Sequence, residues 1–231
     1  MAKEKQSKDG ERLEQIESTL GKTEMFVEKN KKPLVICVVA VILVVLAIVG
    51  WNSLIKEPQE QEALETYYNA EQLSMEEQYK LALEGDGNFS GLVEVVDEFG
   101  GTDAGNLAKY YAGVSCLNTG DYENAVKYLK DFESEDMFVK PLAMGLLGDA
   151  YLELDNVAEA AKCYEKAAKE TDNMLTSPWL LLKAGYTYEM LENYEKALEM
   201  YQIMRDKYWD RAQNMHVLKN IATVEAKIAS K

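Results

Sequence analysis

The sequence predicts an all-α fold, a helical solenoid preceded by a single transmembrane helix. Two observations lead to this prediction. Residues 34–51 form an uncharged apolar run, LVICVVAVILVVLAIVGW, and residues 106–209 contain pairs of helical segments that recur at nearly regular intervals. The apolar run separates a short polar segment, residues 1–33, from a much longer acidic part, residues 52–231.

The apolar run is long enough to cross a bilayer as a helix. Its 18 residues would extend about 27 Å at about 1.5 Å per residue, which is close to the thickness of the hydrocarbon core. A strand of ordinary size is much shorter, so the length favours a membrane helix over a buried strand. Trp51 ends the run where an indole ring prefers the headgroup region.

The charges that flank the run predict its orientation. Lys29, Lys31 and Lys32 precede it, whereas Lys56 on the other side is followed by acidic residues. The positive-inside rule therefore places residues 1–33 in the cytoplasm and residues 52–231 on the other side of the membrane. A cleaved signal peptide is the alternative, although a basic region that covers all of residues 1–33 would be unusually long.

Charge also restricts the partners of the long C-terminal part. Residues 52–231 contain 17 Lys and Arg against 33 Asp and Glu, a net charge of −16. The phosphates of a nucleic acid would be repelled, so we expect no nucleic acid partner. The segment is long enough to bury its own core as one domain or one solenoid.

Three helix pairs share a common register around Gly113, Gly148 and Gly185. In each pair the glycine is followed at one fixed position by an alanine and at a later fixed position by a large side chain; these are Ala125, Ala160 and Ala197, then Leu129, Tyr164 and Tyr201. Between the two helices of each pair lie turn residues: Gly120-Asp121-Tyr122, Asp155-Asn156-Val157 and Glu192-Asn193-Tyr194. This pattern resembles the tetratricopeptide repeat, a helix-turn-helix unit of about 34 residues. The resemblance implies that small residues allow the two antiparallel helices of each unit to approach closely.

The pattern divides the chain into five predicted segments. After a helix break at Pro58, residues 60–83 are predicted to form one long helix, followed by a short second helix that ends at Phe99. The segments are a cytoplasmic segment (1–33), a transmembrane helix (34–51), a linker with a degenerate first helix pair (52–104), three tetratricopeptide repeats (105–209) and a C-terminal capping helix (210–231).

Residues that could support catalysis or metal binding show no recognisable arrangement. His216 has no predicted carboxylate partner, and Cys37, Cys116 and Cys163 lack the spacing of metal ligands. Cys116 and Cys163 are predicted to be buried thiols, with a disulfide between them as the alternative. We therefore expect no enzyme activity, no cofactor and no small-molecule substrate.

The resemblance to tetratricopeptide repeats implies a binding groove lined by the first helix of each unit. Mixed aromatic, aliphatic and acidic side chains there would suit an extended apolar or basic polypeptide. The lysine and asparagine clamp by which some relatives hold a terminal carboxylate is absent. The predicted groove residues are Leu107, Tyr110, Val114, Leu117, Leu142, Asp149, Leu152, Glu153, Trp179, Leu182, Tyr186 and Glu189.

The whole layout suggests a function. A short segment with the lead-in FVEKNKKPL (Phe26–Leu34), one membrane helix and a repeat array are similar to the bacterial ancillary subunits of the Sec translocon. The resemblance implies a single-pass protein of the bacterial inner membrane whose repeats lie on the periplasmic side. It also implies a chaperone-like protein-binding module whose partners are translocon subunits, exported polypeptides or periplasmic chaperones. The alternative is a structural scaffold for one fixed partner in the envelope or division machinery.

Overall fold

The computed structural model describes residues 28–170 and 172–230, and these residues contain helices and turns but no strand. They belong to two units whose boundary falls between Pro58 and Gln59, and we describe each unit by itself. The predicted fold class is confirmed: the chain is an all-α helical solenoid with an apolar helix before it. The part of the predicted cytoplasmic segment before residue 28 lies outside the described residues.

The first unit contains the apolar helix α1, Lys31–Trp51. Its most apolar stretch has a mean hydropathy of 3.3, and none of that stretch is buried within the structure. This exposure distinguishes α1 from the core helix of a soluble domain, whose apolar residues would be covered. Helix α1 is therefore long and apolar enough to be a membrane span or a signal anchor.

The predicted break at Pro58 is wrong. A π-helical turn, Asn52–Lys56, follows α1, and Pro58 is the second residue of helix α2, Glu57–Met75. A π-helical turn leaves a backbone carbonyl without its usual donor, and proline has no N–H to supply one. Helical geometry nevertheless continues through Pro58.

The second unit contains the remaining helices, the first of which begins at the boundary. They are α2, Glu57–Met75; α3, Tyr79–Glu84; α4, Leu92–Phe99; α5, Asp103–Thr119; α6, Tyr122–Asp131; α7, Val139–Glu153; α8, Val157–Glu170; α9, Ser177–Met190; α10, Tyr194–Lys207; α11, Trp209–Asn214; and α12, Val217–Ala229. Helices α5 to α10 each pack against the next helix along the chain, and α12 packs against α10.

The long helix predicted over residues 60–83 is interrupted. Helix α2 ends at Met75, Glu77 adopts a φ of +62°, and the Gln78 N–H donates to the Leu73 carbonyl oxygen at 2.9 Å. This bond is typical of a helix end closed by a left-handed residue, a position that usually carries glycine. A glutamate stands there instead, so the sequence contains no signal for the break.

The glycines of the predicted register lie where the two helices of a unit touch. A Cβ atom added to Gly148 would lie 2.6 Å from Cε1 of Tyr164, and one added to Gly185 would lie 2.2 Å from Cε1 of Tyr201. In the first of the three units, a Cβ atom added to Gly113 would lie 2.5 Å from Cγ of Leu129. The large residue at the equivalent position of each second helix therefore fills the space that the missing side chain leaves.

The turns within the three units also share one geometry. One or two residues after the end of the first helix, the chain takes a left-handed conformation, with φ of +82° at Gly120, +56° at Asp155 and +55° at Glu192. The next residue, Asp121 in the first turn, then caps the second helix by accepting a hydrogen bond from a backbone N–H three positions on. Asn156 and Asn193 do the same in the other two turns.

Helix α2 lies alongside α5 and runs in the same direction. Near its start, the Glu60 carboxylate accepts hydrogen bonds from the backbone N–H groups of Asp103 and Ala104 at 2.7 and 2.8 Å. Near its end, the Ser74 and Ser115 hydroxyls are 2.9 Å apart. Helix α2 thus occupies the place of a first helix beside α5, and α3 and α4 both pack on α5 as well.

The buried side chains form two clusters. One extends from Ala63 to Ala150 and joins α2–α7, and the other extends from Ala160 to Val224 and joins α8–α12. Tyr164 and Tyr201 are fully buried in the second cluster. Helix α7 takes part in both, since Ala150 belongs to the first cluster whereas Met144 and Leu152 pack against the second.

Candidate functional site

The first helices of the three units, α5, α7 and α9, present large apolar side chains to solvent at one repeated position. Six residues before each register glycine lie Leu107, Leu142 and Trp179, which are 40%, 46% and 54% exposed. Tyr186 on α9 is also exposed. Exposed large apolar groups at equivalent positions of successive units form a candidate contact surface for a partner.

Sequence reasoning missed one member of this surface. Met190 lies five residues after Gly185, as Glu153 does after Gly148, and its side chain is 63% exposed. The same offset that selected Glu153 would have selected Met190. We call the exposed side chains of Leu107, Leu142, Trp179, Tyr186 and Met190 the first-helix surface.

The other predicted residues are less accessible. Glu153 is exposed, and its carboxylate raises the pKa of the neighbouring Tyr122 phenol by charge repulsion. Leu182 is buried in the second cluster, between α8 and α10, which both pack against α9, so it is not available to a partner. The half-buried residues are Tyr110, Val114, Leu117, Asp149, Leu152 and Glu189.

Asp149 is bound on two sides. Its Oδ1 accepts a hydrogen bond from the Tyr164 hydroxyl at 2.5 Å, and its two carboxylate oxygens lie 2.6 and 2.8 Å from Nζ of Lys183. Tyr164 belongs to the same unit as Asp149, whereas Lys183 comes from the first helix of the next unit. The negative charge of Asp149 is therefore compensated by a lysine rather than left for a ligand.

Glu189 has the same kind of environment. The Tyr201 hydroxyl donates to its Oε1 at 2.8 Å, and Nζ of Lys227 on α12 lies 2.9 Å from its Oε2. The hydrogen bond from Lys227 to Glu189 raises the pKa of the lysine. Two of the three acids that the sequence assigned to the groove thus belong to tyrosine–carboxylate–lysine groups that tie one helix to the next.

The aromatic residues of the surface are held in place by neighbours. Nζ of Lys183 lies 5.9 Å from the centre of the Trp179 ring and 5.4 Å from that of Tyr164, within reach of a cation–π interaction. The hydroxyl of Tyr186 accepts a hydrogen bond from Nδ2 of Asn220 at 3.2 Å, and its ring meets the Tyr201 ring edge-on.

Tyr110 has a more structural environment than sequence reasoning assigned to it. Its ring centre lies 5.4 Å from that of Phe132 and 5.2 Å from that of Tyr111. Burial raises the pKa of its phenol. Tyr110 therefore contributes mainly to packing between α5 and the end of α6, and only part of its side chain remains accessible.

A cleft of about 630 Å³ lies outside the first-helix surface. It is bordered by the end of α6, residues 132–135, α7 and α8, with Met144, Leu147 and Cys163 among its apolar residues. Helix α6 ends at Asp131, a turn earlier than α8 and α10 end in their units. The Asn106 side chain holds the chain that follows by two hydrogen bonds to the backbone of Glu133, at 2.7 and 3.0 Å. The missing turn opens the cleft.

The cysteines are free thiols. Cys116 is buried in the first cluster, which extends from Ala63 to Ala150, and Cys163 is half-buried on α8 at the cleft. Burial raises the pKa of Cys116 to about 12 and that of Cys163 to about 11. Both thiols are therefore protonated near neutral pH and are poor nucleophiles.

Comparison with known proteins supports the repeat assignment. The family model of the tetratricopeptide repeat matches residues 112–174 and 146–212. No significant match to the chain is found among curated proteins or among solved structures. The matched residues include the three turns, the glycine–tyrosine contacts and helices α7–α10 in full. Residues 112–212 therefore match the tetratricopeptide repeat both in sequence and in the packing of their helix pairs.

Proposed function

We propose that this chain is a membrane-tethered protein-interaction module whose repeats bind polypeptides on the periplasmic side of a bacterial inner membrane. Tetratricopeptide repeats generally mediate protein–protein interactions and are generally not catalytic. The observation that carries the proposal is the first-helix surface. Its apolar side chains are exposed on the first helices of all three units, where Leu107, Leu142 and Trp179 occupy equivalent positions.

Helix α1 and the lysines beside it support the proposed periplasmic location of the repeats. Helix α1 is long and apolar enough to span a bilayer, and three lysines close to its N-terminal end favour a cytoplasmic N-terminus. In this orientation the repeats face newly exported chains. The proposed role is therefore that of an accessory to the Sec translocon, contacting translocon subunits, exported polypeptides or periplasmic chaperones.

Crosslinking in cells tests this role. We expect a photo-crosslinker introduced at Leu142, an exposed position between Leu107 and Trp179 in the repeat order, to capture many exported polypeptides or periplasmic chaperones. Mass spectrometry identifies the captured proteins. A single stoichiometric envelope or division protein would contradict the translocon role and indicate a scaffold.

A variant tests whether the first-helix surface is the contact. Trp179→Ala combined with Tyr186→Ala removes two exposed rings, and losing an aromatic anchor typically costs about 1–2 kcal/mol of binding free energy, roughly five- to thirty-fold in affinity. We expect crosslinking at Leu142 to fall while the circular dichroism melt changes little. The matched control is Trp209→Ala, which removes an exposed ring from α11, outside the surface. Equal crosslinking by the double variant and the control would place the binding site elsewhere.

A further inference from the structure

The pairing of the charged side chains around the first-helix surface indicates which kind of polypeptide segment this surface can bind. The sequence suggested acids that would attract a basic polypeptide. In the structure, Asp149 is bound to Lys183 and Glu189 to Lys227, and each carboxylate also accepts a hydrogen bond from a buried tyrosine. Of the acids assigned to the groove, Glu153 is the exposed one.

The lysines also have little freedom to turn towards a ligand. Lys183 contacts both oxygens of Asp149 and lies near the rings of Trp179 and Tyr164. Lys227 binds Glu189 and lies 5.0 Å from the centre of the Tyr194 ring. Opposite charges that are matched within the protein leave the adjacent apolar side chains as the dominant feature of the surface.

We infer that the first-helix surface selects uncharged apolar segments of a polypeptide and does not select basic ones. Leucine, methionine and aromatic side chains gain from burying apolar area, which does not depend on the screening of charges by salt. A basic segment would find two of the three acids assigned to the groove, Asp149 and Glu189, already occupied by Lys183 and Lys227. This inference rests on the proposed polypeptide-binding function and defines the class of segment that is bound.

The test uses the full-length chain in lipid nanodiscs and two fluorescein-labelled peptides, with empty nanodiscs as the blank. One peptide contains only Leu, Phe, Ser and Gly, and the second is identical except that each Ser is replaced by Lys. Fluorescence anisotropy gives the Kd at low salt and at about 0.5 M salt, where charges are screened beyond a few ångströms. We expect the uncharged peptide to bind more tightly, with a Kd that changes by less than about two-fold with salt.

A variant examines the lysines directly. Lys183→Met with Lys227→Met keeps the long apolar stems but frees the two carboxylates, so we expect the lysine peptide to bind about five- to twenty-five-fold more tightly, with strong salt dependence. The control is Lys162→Met with Lys166→Met, which removes two ion-paired lysines from α8, outside the surface. The control should leave both Kd values unchanged. The unmodified chain remains the primary test if either variant fails to fold.

The outcomes separate the inference from the proposed function. Tighter binding of the lysine peptide to the unmodified chain, weakened by salt and by Trp179→Ala, would overturn the inference and keep the polypeptide-binding function. If neither peptide binds, both the inference and the proposed function are overturned. The same holds if peptides bind but Trp179→Ala with Tyr186→Ala leaves that binding unchanged.

Discussion

The contact between Gly148 and Tyr164 permits a sharp test of the repeat packing. In Gly148→Ala, the new Cβ would lie 2.6 Å from Cε1 of Tyr164 and 2.9 Å from both Cδ1 and Cζ. Cβ contacts below 3.0 Å are essentially never observed, so something must move. The ring cannot move freely, because Tyr164 is fully buried and its hydroxyl is bound to Asp149.

Two opposing contributions set the size of the effect. Overpacking a well-packed site typically costs about 1–3 kcal/mol, whereas replacing glycine by alanine within a helix contributes about 1 kcal/mol in favour. We therefore expect a net loss of about 1 kcal/mol, which corresponds to roughly 2–4 °C in melting temperature for a domain of this size. Gly148→Leu adds more volume and should cost more. Circular dichroism melting of the full-length chain in nanodiscs measures both.

A second substitution tests whether the contact with the Tyr164 ring causes the loss of stability in Gly148→Ala. In the first of the three units, the same contact is made by Leu129, a side chain that can adjust. Gly148→Ala should therefore cost less when introduced into Tyr164→Leu than into the unmodified chain, and this difference is the coupling energy of the pair. Gly101→Ala, in the turn between α4 and α5, is the control for a glycine without a close contact, since a Cβ there meets nothing within 4 Å. An equal cost of Gly148→Ala in both backgrounds would refute the proposed contact.

Three further predictions follow from the structure. Burial raises the pKa of Glu165, but hydrogen bonds from Lys169, Tyr188 and Lys196 outweigh it and hold the pKa at about 2. Because this pKa is depressed below the ordinary value of 4.5, the stabilisation is fully present above about pH 4.5 and is lost as the pH falls towards 2. Glu165→Gln should remove that part of the acid sensitivity in melts between about pH 5 and about pH 2, and an unchanged slope would contradict it. Iodoacetamide should label Cys116 and Cys163 much more slowly than an exposed cysteine at about pH 8, because both thiols are protonated there, and rapid labelling in mass spectra would disprove their burial. External protease should digest residues 52–231 in spheroplasts but not in intact cells, and protection in spheroplasts would reverse the proposed orientation.

The repeat register could be read from the sequence because each signal has a local physical cause. A glycine permits close approach of two helices, a large side chain on the second helix fills the space, and Asp or Asn at the turn caps that helix. The end of α2 at Met75 could not be predicted from the sequence. The left-handed position that closes the helix usually carries glycine, but here it is Glu77.

The candidate site was predicted only in part. Exposure at Leu107, Leu142, Trp179 and Tyr186 follows the register and agrees with expectation. The register does not reveal that the acids of the surface are paired. The lysine partners of Asp149 and Glu189 lie 34 and 38 residues further along the chain, on other helices. Such pairs depend on how successive units stack, and no short-range pattern in the sequence encodes that distance.

The division of the buried side chains into two clusters has a consequence for how the array unfolds. Helix α7 is shared by both clusters, and its neighbours α6 and α8 belong to different ones. In a repeat array, stability is approximately a sum of contributions from units and from the contacts between neighbours. We therefore expect the array to separate into two blocks at the junction formed by α7. Amide hydrogen exchange should then show two protected segments with different opening free energies, meeting near Leu142 to Glu153.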